Sequence, residues 1–383
     1  MDFTWSDEQQ ALRERVRALL KRELPADWER ISRHGPGSRE QTAFSLQFCP
    51  RLAEAGLLVP HWPAAHGGSD SPPWHHFIIG EELWAAGEPR GPQYMNVNFI
   101  GQTLIRFGTA EQQRRLLPPM AAGRAIWCQG FSEPSAGSDL ASLRTRAERV
   151  GERYRINGAK VWTSYAGLAQ HCLLLARTGG SGREGICIFL VDMATPGIRV
   201  RAIPSLVGEG DIHEVFFDDA EVPADCRLGA EGQAWPIIGW ALSHERVGIA
   251  RYAFSRRVLD GLVRRLQAQG RFDDALVRAR AGQALAACEA ARWLVYRVID
   301  QRARGLPPSA DTNLARVAVV AADHAVSDFG LAFLPDSYCG SDFPLHLQHH
   351  ERAIAAGIAS GAAEIQLNLV AQQRLQLPRG ERA

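Results

Sequence analysis

A stretch of small and hydroxyl-bearing residues is the first part of the sequence that could bind a cofactor. Residues 128–145 read CQGFSEPSAGSDLASLRT, which places hydroxyls, small side chains and a glycine in one predicted loop. Small residues let the backbone approach a ligand closely, and exposed backbone N–H groups favour anionic oxygens. The composition therefore suits a nucleotide cofactor, and an ordinary Ser/Gly turn is the alternative.

A carboxylate in an apolar helical stretch is the second candidate. Within WALSHERVGIA (240–250), His244, Glu245 and Arg246 interrupt a run of apolar residues. Burial raises the pKa of a carboxyl group, and a buried carboxylate beside an arginine is a candidate general base. The alternative is that Glu245 forms a structural ion pair with an arginine.

Metal and disulfide chemistry are not expected. The sequence His349-His350-Glu351 lacks the i, i+4 histidine spacing of a helical zinc site, so we expect no metal site. The seven cysteines form no Cys-x-x-Cys pair and are odd in number, which argues against a disulfide framework and against zinc. Free thiols are typical of a reducing compartment, so we expect a cytoplasmic protein.

The bulk properties disfavour two kinds of partner. The formal net charge is +1, so the chain has no global field that attracts nucleic acid or a membrane surface. The N-terminus is charged from its second residue, unlike a signal peptide. No uncharged run approaches the roughly 20 apolar residues that a membrane span requires. We expect neither a nucleic-acid partner nor a membrane span.

The elements that must position the candidate residues change character twice along the chain. Helical spacing, beginning with an N-cap at Ser6, dominates the first third, and short β-rich runs fill residues 127–228. The last third is again helical, over 235–269, 273–305, 313–334 and 351–374. We predict an α+β fold with an N-terminal helical domain (1–124), a middle β-barrel or sandwich (125–230) and a C-terminal helical bundle (231–383).

Two local features refine this prediction. The Gly-, Ser- and Pro-rich residues 31–42 predict a loop before a helix at about 43–55. The dipeptide Asn157-Gly158 predicts a hairpin turn between two strands.

Five motifs, in order, resemble those of the acyl-CoA dehydrogenase family over nearly the whole chain. The most specific is FSEPSAGSDL (131–140), which is similar to the family's [T/S]-E-P-x-A-G-S-D signature. The others are INGAKVWTS (156–164), FLVDMATPGIRV (189–200), FFDDAEVPADCRLGAEGQ (216–233) and GAAEIQLNLVAQQRLQLPR (361–379). The family fold has an N-terminal helical domain, a middle β domain and a C-terminal four-helix bundle, in agreement with the α–β–α pattern.

The resemblance implies an FAD site built by the first two motifs. It implies cofactor contacts from Gln129, Phe131, Ser132, Gly137, Ser138, Trp162 and Ser164. Trp162 would pack on the flavin ring, and Ser164 would lie near flavin N5. Ser138 and Arg246 are the implied substrate contacts.

The resemblance also bears on the catalytic base. Many family members have the base immediately before the glycine of the terminal motif, where this chain has Ser360. Others have it in a Leu-x-x-Glu-Arg sequence on the first long bundle helix, which here gives Glu245. The resemblance therefore implies that Glu245 removes the α-proton of an acyl-CoA, with hydride transfer to flavin N5 and electrons passing to an electron-transfer flavoprotein. Glu364 of the terminal motif is expected to be structural.

Two family segments that complete the FAD site of a neighbouring subunit are missing. Residues 264–282 contain no Arg-x-x-Phe-Gly, and LAFLPDSYCGSDFP (331–344) replaces a Gly-Gly-x-Gly-Tyr stretch. This combination resembles two-subunit enzymes that act on steroid side-chain or dicarboxylic acyl-CoAs. It implies an α2β2 assembly with a second acyl-CoA dehydrogenase-like chain, with a homo-oligomer as the alternative. An acyl-CoA oxidase of the same fold and a non-catalytic scaffold subunit are the competing functions.

Overall fold

The chain has the predicted α+β fold, with helical regions on either side of a β region in the sequence. The computed structural model describes residues 4–180, 182–206, 210–247, 250–339, 344–359 and 361–378, apart from the side chains of 243–247 and 344. The described chain divides into two compact units, made of residues 1–33, 71–89 and 246–383 and of residues 34–70 and 90–245. The predicted domain boundaries after residues 124 and 230 stay a prediction.

The first unit is helical. Its helices are α1 (Asp7–Glu23), α2 (Trp28–Ser32), α4 (Pro73–Ala85), α8 (Arg251–Ala268), α9 (Ala275–Ala303), α10 (Asp311–Phe333), α11 (Pro344–Ala355) and α12 (Ala363–Gln373). Helices α8, α9 and α10 pack on one another, and α11 and α12 pack on α10. Small and branched residues of α9 such as Ala284, Ala291 and Val295 are buried in this core. The arrangement agrees with the predicted C-terminal bundle.

The second unit contains the sheet. Its helices are α3 (Arg39–Glu54), α5 (Gly101–Phe107), α6 (Ala110–Ala121) and, up to residue 245, α7 (Ala234–Val247). Its strands are β1 (Trp127–Gly130), β2 (Arg146–Val150), β3 (Arg153–Ser164), β4 (His171–Arg177), β5 (Ile186–Asp192), β6 (Ile198–Ala202), β7 (Ile212–Pro223) and β8 (Arg227–Leu228). They form one sheet in the order β6-β7-β3-β2-β4-β5-β8, with β1 paired in parallel to β4.

The predicted hairpin at Asn157-Gly158 is wrong, because both residues lie inside the continuous strand β3. The Asn157 side chain exchanges hydrogen bonds with Asp219 of β7, at 2.9 Å each. Gly158 (φ +148°) lies against Thr145, which a Cβ at this position would approach to 2.6 Å. The hairpin between β2 and β3 instead turns at residues 151 and 152. Gly158 therefore permits a close approach rather than a turn.

Helix boundaries also differ from the prediction in three places. Helix α3 begins at Arg39, because the Ser38 hydroxyl accepts a hydrogen bond from Gln41 N–H and caps it. The single helix predicted over 235–269 is divided into α7 and α8. The one predicted over 351–374 is divided into α11 and α12, and Arg316 donates hydrogen bonds to the carbonyls of Ala356 and Ala359 between them.

A buried ion-pair cluster joins α1, α4, α8 and α9. The Arg13 guanidinium pairs with both Glu81 and Glu82, and all three side chains are at most 10% exposed. The hydroxyls of Tyr252 and Tyr296 donate to the same oxygen of Glu81. The first helix of the chain is thereby tied to the bundle through charged groups that have little access to water.

A second polar network, around His349, lies inside the bundle. His349 of α11 is 1% exposed, and its Nε2 lies 3.1 Å from the hydroxyl of Ser255. Ser255 donates to Asp323 at 2.6 Å, and Asp323 pairs with Arg251 at 2.7 Å. Burial lowers the pKa of His349 to about 4, against the raising effect of Asp323 and with a further lowering effect of Arg251.

This network predicts a loss of stability in mild acid. The folded pKa of His349 is about 4. An unfolded histidine has a pKa of about 6.5, so between these values the unfolded chain binds a proton that the folded chain excludes. The free energy of unfolding should fall by about 1.4 kcal/mol per pH unit for this residue as the pH drops.

Urea unfolding of the parent and of His349→Gln between neutral pH and pH of about 5 measures this effect. The variant should have the shallower pH dependence, whatever its absolute stability. His34→Gln, at an exposed position, is the control and should keep the parent slope. Equal slopes for the parent and His349→Gln would contradict the prediction.

Candidate functional site

The candidate cofactor loop leaves the sheet at the end of β1. Gly130, the last residue of β1, lies so close to β4 that a Cβ would approach Cys172 Sγ to 3.0 Å. Phe131 is buried, Gln129 and Ser132 are half-buried, and Gly137 and Ser138 are exposed. The loop therefore begins in the core and reaches the surface at Gly137 and Ser138.

Glu133 holds the two ends of this loop together. Its carboxylate accepts hydrogen bonds from the backbone N–H groups of Arg144 (2.6 Å) and Thr145 (2.9 Å). It also accepts one from Lys160 Nζ of β3 at 2.7 Å. Burial alone would raise the pKa of Glu133, but the charge and hydrogen bond of Lys160, together with hydrogen bonding by Thr145 and by the Arg144 backbone, outweigh it and lower the pKa. Glu133 is thus held as a carboxylate.

Trp162 has an unusual backbone and an unusual exposure. Its φ is +58°, in the left-handed region that costs a non-glycine residue roughly 1–2 kcal/mol. The pairing of β3 with β7 shifts between Lys160 and Thr163, where residues 161 and 162 face the single residue Glu214. Such a bulge redirects a side chain. Lys160 is accordingly fully buried, whereas the Trp162 side chain is 60% exposed.

A groove of about 640 Å³ lies beside the exposed indole. Its lining residues are Pro134, Val161, Trp162, Arg201, Ala202, Ile203, Pro204 and Glu214. Arg201 and Glu214 form an ion pair at its edge. The groove therefore offers an aromatic surface together with apolar residues, next to the loop that Glu133 closes.

Several polar groups of this region have no hydrogen-bond partner among the described residues. In the part of the chain that the structure describes, no hydrogen bond is made by the hydroxyls of Ser132, Ser138 and Ser164 or by the side-chain amide of Gln129. Ser164 ends β3, and the following Tyr165 has φ +62° and donates its N–H to Asp211 O at 2.9 Å. The hydroxyls of Ser132, Ser138 and Ser164 and the side-chain amide of Gln129 are therefore available to hydrogen-bond a polar ligand.

The predicted base and one predicted substrate contact lie where side chains are not described. Glu245 and Arg246 belong to α7, but their side chains lie outside the described residues, as does the whole of Ser360. Glu364 is an exposed residue in the first turn of α12. The roles of these four residues therefore stay predictions.

One ion pair near the candidate site is not indicated by the sequence motifs. Lys160 and Glu133 stand inside the two quoted motifs, yet only their burial reveals the ion pair between them. In the described ranges, no group of three His, Cys, Asp or Glu residues could hold a metal ion.

The helices that the structure describes are all too short or too polar to span a membrane.

Family models match three consecutive parts of the chain. The acyl-CoA dehydrogenase N-terminal domain matches residues 6–124, the middle domain 128–220 and the C-terminal domain 232–375. Acyl-CoA dehydrogenase IpdE1 of Mycobacterium tuberculosis is 34% identical, over 96% of this chain and 97% of its own. The chain therefore belongs to the acyl-CoA dehydrogenase family, and it is an enzyme of that class.

Solved structures agree with this assignment. A structure described as "Tcur3481-Tcur3483 steroid ACAD" has a TM-score of 0.90 and 27% identity, covering 99% of this chain and all of its own. An acyl-CoA dehydrogenase from Geobacillus kaustophilus has a TM-score of 0.87 and 22% identity, covering 98% of this chain and all of its own, which shows the shared fold. Enzymes of this family are flavoprotein oxidoreductases.

Proposed function

We propose that this chain is the catalytic chain of an FAD-dependent acyl-CoA dehydrogenase. The observation that carries the proposal is Trp162, an indole held at positive φ and exposed beside a loop with unpaired polar groups. Backbone strain of this kind persists where the surrounding structure enforces it, and it is concentrated at functional sites. A planar cofactor ring would cover the indole and remove it from water.

Each predicted site residue has a distinct task in this proposal. Trp162 would supply the aromatic surface for the cofactor ring, and the Ser164 hydroxyl would donate a hydrogen bond to that ring. Gln129, Phe131 and Ser132 hold the part of the loop nearest the sheet, and the N–H groups of exposed Gly137 and Ser138 bind phosphate oxygens. Ser138 also contacts the thioester portion of the substrate.

The chemistry requires a base and an electron sink. FAD, when bound, would supply the acceptor for the hydride that leaves the β-carbon of the acyl group. Glu245 takes the proton from the α-carbon, and Arg246 contacts the substrate next to it. Ser360 cannot serve as this base, which leaves Glu245 as the carboxylate in the two positions that the family uses. An electron-transfer flavoprotein then accepts the electrons.

The assembly we propose is α2β2, with a related chain completing the FAD site. Its support is the absence of an Arg-x-x-Phe-Gly sequence from residues 264–282, together with the similarity to a structure whose name joins two gene products, Tcur3481 and Tcur3483. The word "steroid" in that name favours a bulky, steroid-derived acyl-CoA as substrate. In a homo-oligomer, another segment of this chain would have to supply the FAD contacts that the Arg-x-x-Phe-Gly sequence makes in the family.

The test uses the chain purified from its own host together with any protein that remains bound to it. We expect a yellow complex of two chain types whose flavin is bleached by a steroid side-chain acyl-CoA without oxygen, and is reoxidised by an electron-transfer flavoprotein. Pivaloyl-CoA, a thioester without an α-hydrogen, is the control and should cause no bleaching. A colourless complex would identify a scaffold subunit, and rapid oxygen consumption without another acceptor would identify an oxidase.

A further inference from the structure

Lys160 and Glu133 form a buried ion pair directly beneath the candidate cofactor loop. The Lys160 side chain is 0% exposed and that of Glu133 is 4% exposed, with 2.7 Å between Nζ and Oε1. Removing two charges from water is costly, and a buried pair often contributes less to stability than an apolar pair of the same volume. Its presence at this position therefore calls for a role other than stability.

The contacts of the pair are concentrated on the loop. Besides Glu133, Lys160 Nζ donates to the carbonyl of Phe131 at 3.1 Å. The Glu133 carboxylate accepts from the N–H groups of Arg144 and Thr145. One pair of side chains thus fixes the backbone at the beginning of the loop and again at its end.

The same pair is coupled to the position of Trp162. Lys160 is the last residue before the bulge in β3, and the N–H of the next residue, Val161, donates to Ser132 O at 2.9 Å. Glu133 and Ala136 exchange backbone hydrogen bonds of 2.9 and 3.1 Å, which close the turn that follows. The bulge that exposes the indole and the loop that faces it therefore share one anchor.

We propose that Lys160 and Glu133 are positioning residues for the cofactor, which set the distance between the loop backbone and the Trp162 indole. This inference rests on the proposed FAD site and adds two residues to it. Neither residue contacts the reacting atoms; both act through Phe131, Ser132 and Trp162.

The variants remove the charges while keeping the volume. Lys160→Met and Glu133→Gln each leave one uncompensated buried charge and are expected to destabilise the chain. The double variant Glu133→Gln/Lys160→Met removes both charges and is the one expected to fold. Arg155→Met/Glu221→Gln is the matched control, because it removes an exposed ion pair between β3, the strand that also holds Lys160, and β7, with side chains 40% and 42% exposed.

Two measurements on the purified protein separate positioning from stability. Amide hydrogen exchange of the FAD-free chain should be faster at Ala136, Arg144, Thr145 and Val161 in the double variant, with unchanged protection in β4 and β5. Titration with FAD should give a dissociation constant at least about tenfold higher than in the parent and in the control. The absorbance spectrum of the bound flavin should also shift, because its surroundings move.

The results that would overturn this inference differ from the result that would overturn the proposed function. Unchanged exchange at the four amides in a folded double variant would overturn the inference, whether or not FAD binds. So would an FAD dissociation constant within about twofold of the parent. Failure of the parent complex to bind FAD, with loop exchange that depends on the pair, would instead refute the proposed cofactor site and leave the pair as a loop anchor only.

Discussion

Replacing Glu245 with glutamine should abolish turnover and leave the flavin in place. Glutamine has nearly the same size and polarity but cannot accept the α-proton. A positioned general base contributes about 10²–10⁴-fold to a rate, and no other carboxylate stands at the family's alternative position. The measurement is the rate of flavin bleaching by acyl-CoA under anaerobic conditions, together with the FAD content of the purified variant.

The chain offers both a control and a rescue for this experiment. Glu364→Gln changes the exposed carboxylate of the terminal motif and should bleach at the parent rate. Adding Ser360→Glu to the Glu245→Gln variant places a carboxylate where many family members have their base, and should restore part of the activity. Near-normal bleaching by Glu245→Gln alone would remove Glu245 from the role of base.

Replacing Arg13 with methionine should strongly destabilise the helical unit. The variant leaves Glu81 and Glu82 at 6% and 8% exposure without the guanidinium that joins them. Removing one partner of a buried ion pair typically costs about 3–5 kcal/mol. Chemical unfolding followed by far-UV circular dichroism measures the change, and activity measured below the transition should be affected much less than stability.

Arg17 provides the matched comparison. It lies one turn further along α1 and pairs with the same Glu82 at 2.8 Å, but its side chain is 57% exposed. Exposed pairs contribute about 0.2–1 kcal/mol, so Arg17→Met should cost no more than that. Similar decreases in the free energy of unfolding for Arg13→Met and Arg17→Met would show that burial does not determine how much each ion pair contributes to stability.

The start of α1 is predicted correctly from the sequence, because the interactions that define it are local. The N-cap at Ser6 is confirmed, since the Ser6 hydroxyl accepts a hydrogen bond from Gln9 N–H and the Gln9 side chain accepts one from Ser6 N–H. Both contacts lie within four residues of the sequence. The turn at Asn157-Gly158 was mispredicted because Asn157 bonds to Asp219 and Gly158 packs on Thr145, both distant in sequence. A residue-by-residue signal for a turn does not contain contacts of this kind.

The candidate site likewise has features that the sequence predicts and features that depend on contacts between distant parts of the chain. The motif residues were found through their family resemblance, which orders them along the chain without showing their surroundings. That Trp162 is exposed and Lys160 is buried depends on the bulge in β3, which is a property of strand pairing. The side chains of Glu245 and Arg246 lie outside the described residues, so their placement still depends on the sequence alone.

If FAD covers the exposed indole of Trp162, as we propose, the abundance of this protein in a cell should depend on the supply of riboflavin. Val200 and Leu206, at 39% and 59% exposure, add apolar surface to the same unit. Exposed apolar patches promote association, and chains that display them are held by chaperones or degraded by proteases. Under the proposed function, a chain without FAD keeps the Trp162 indole uncovered. Riboflavin limitation should therefore reduce the amount of the enzyme as well as the activity of each molecule.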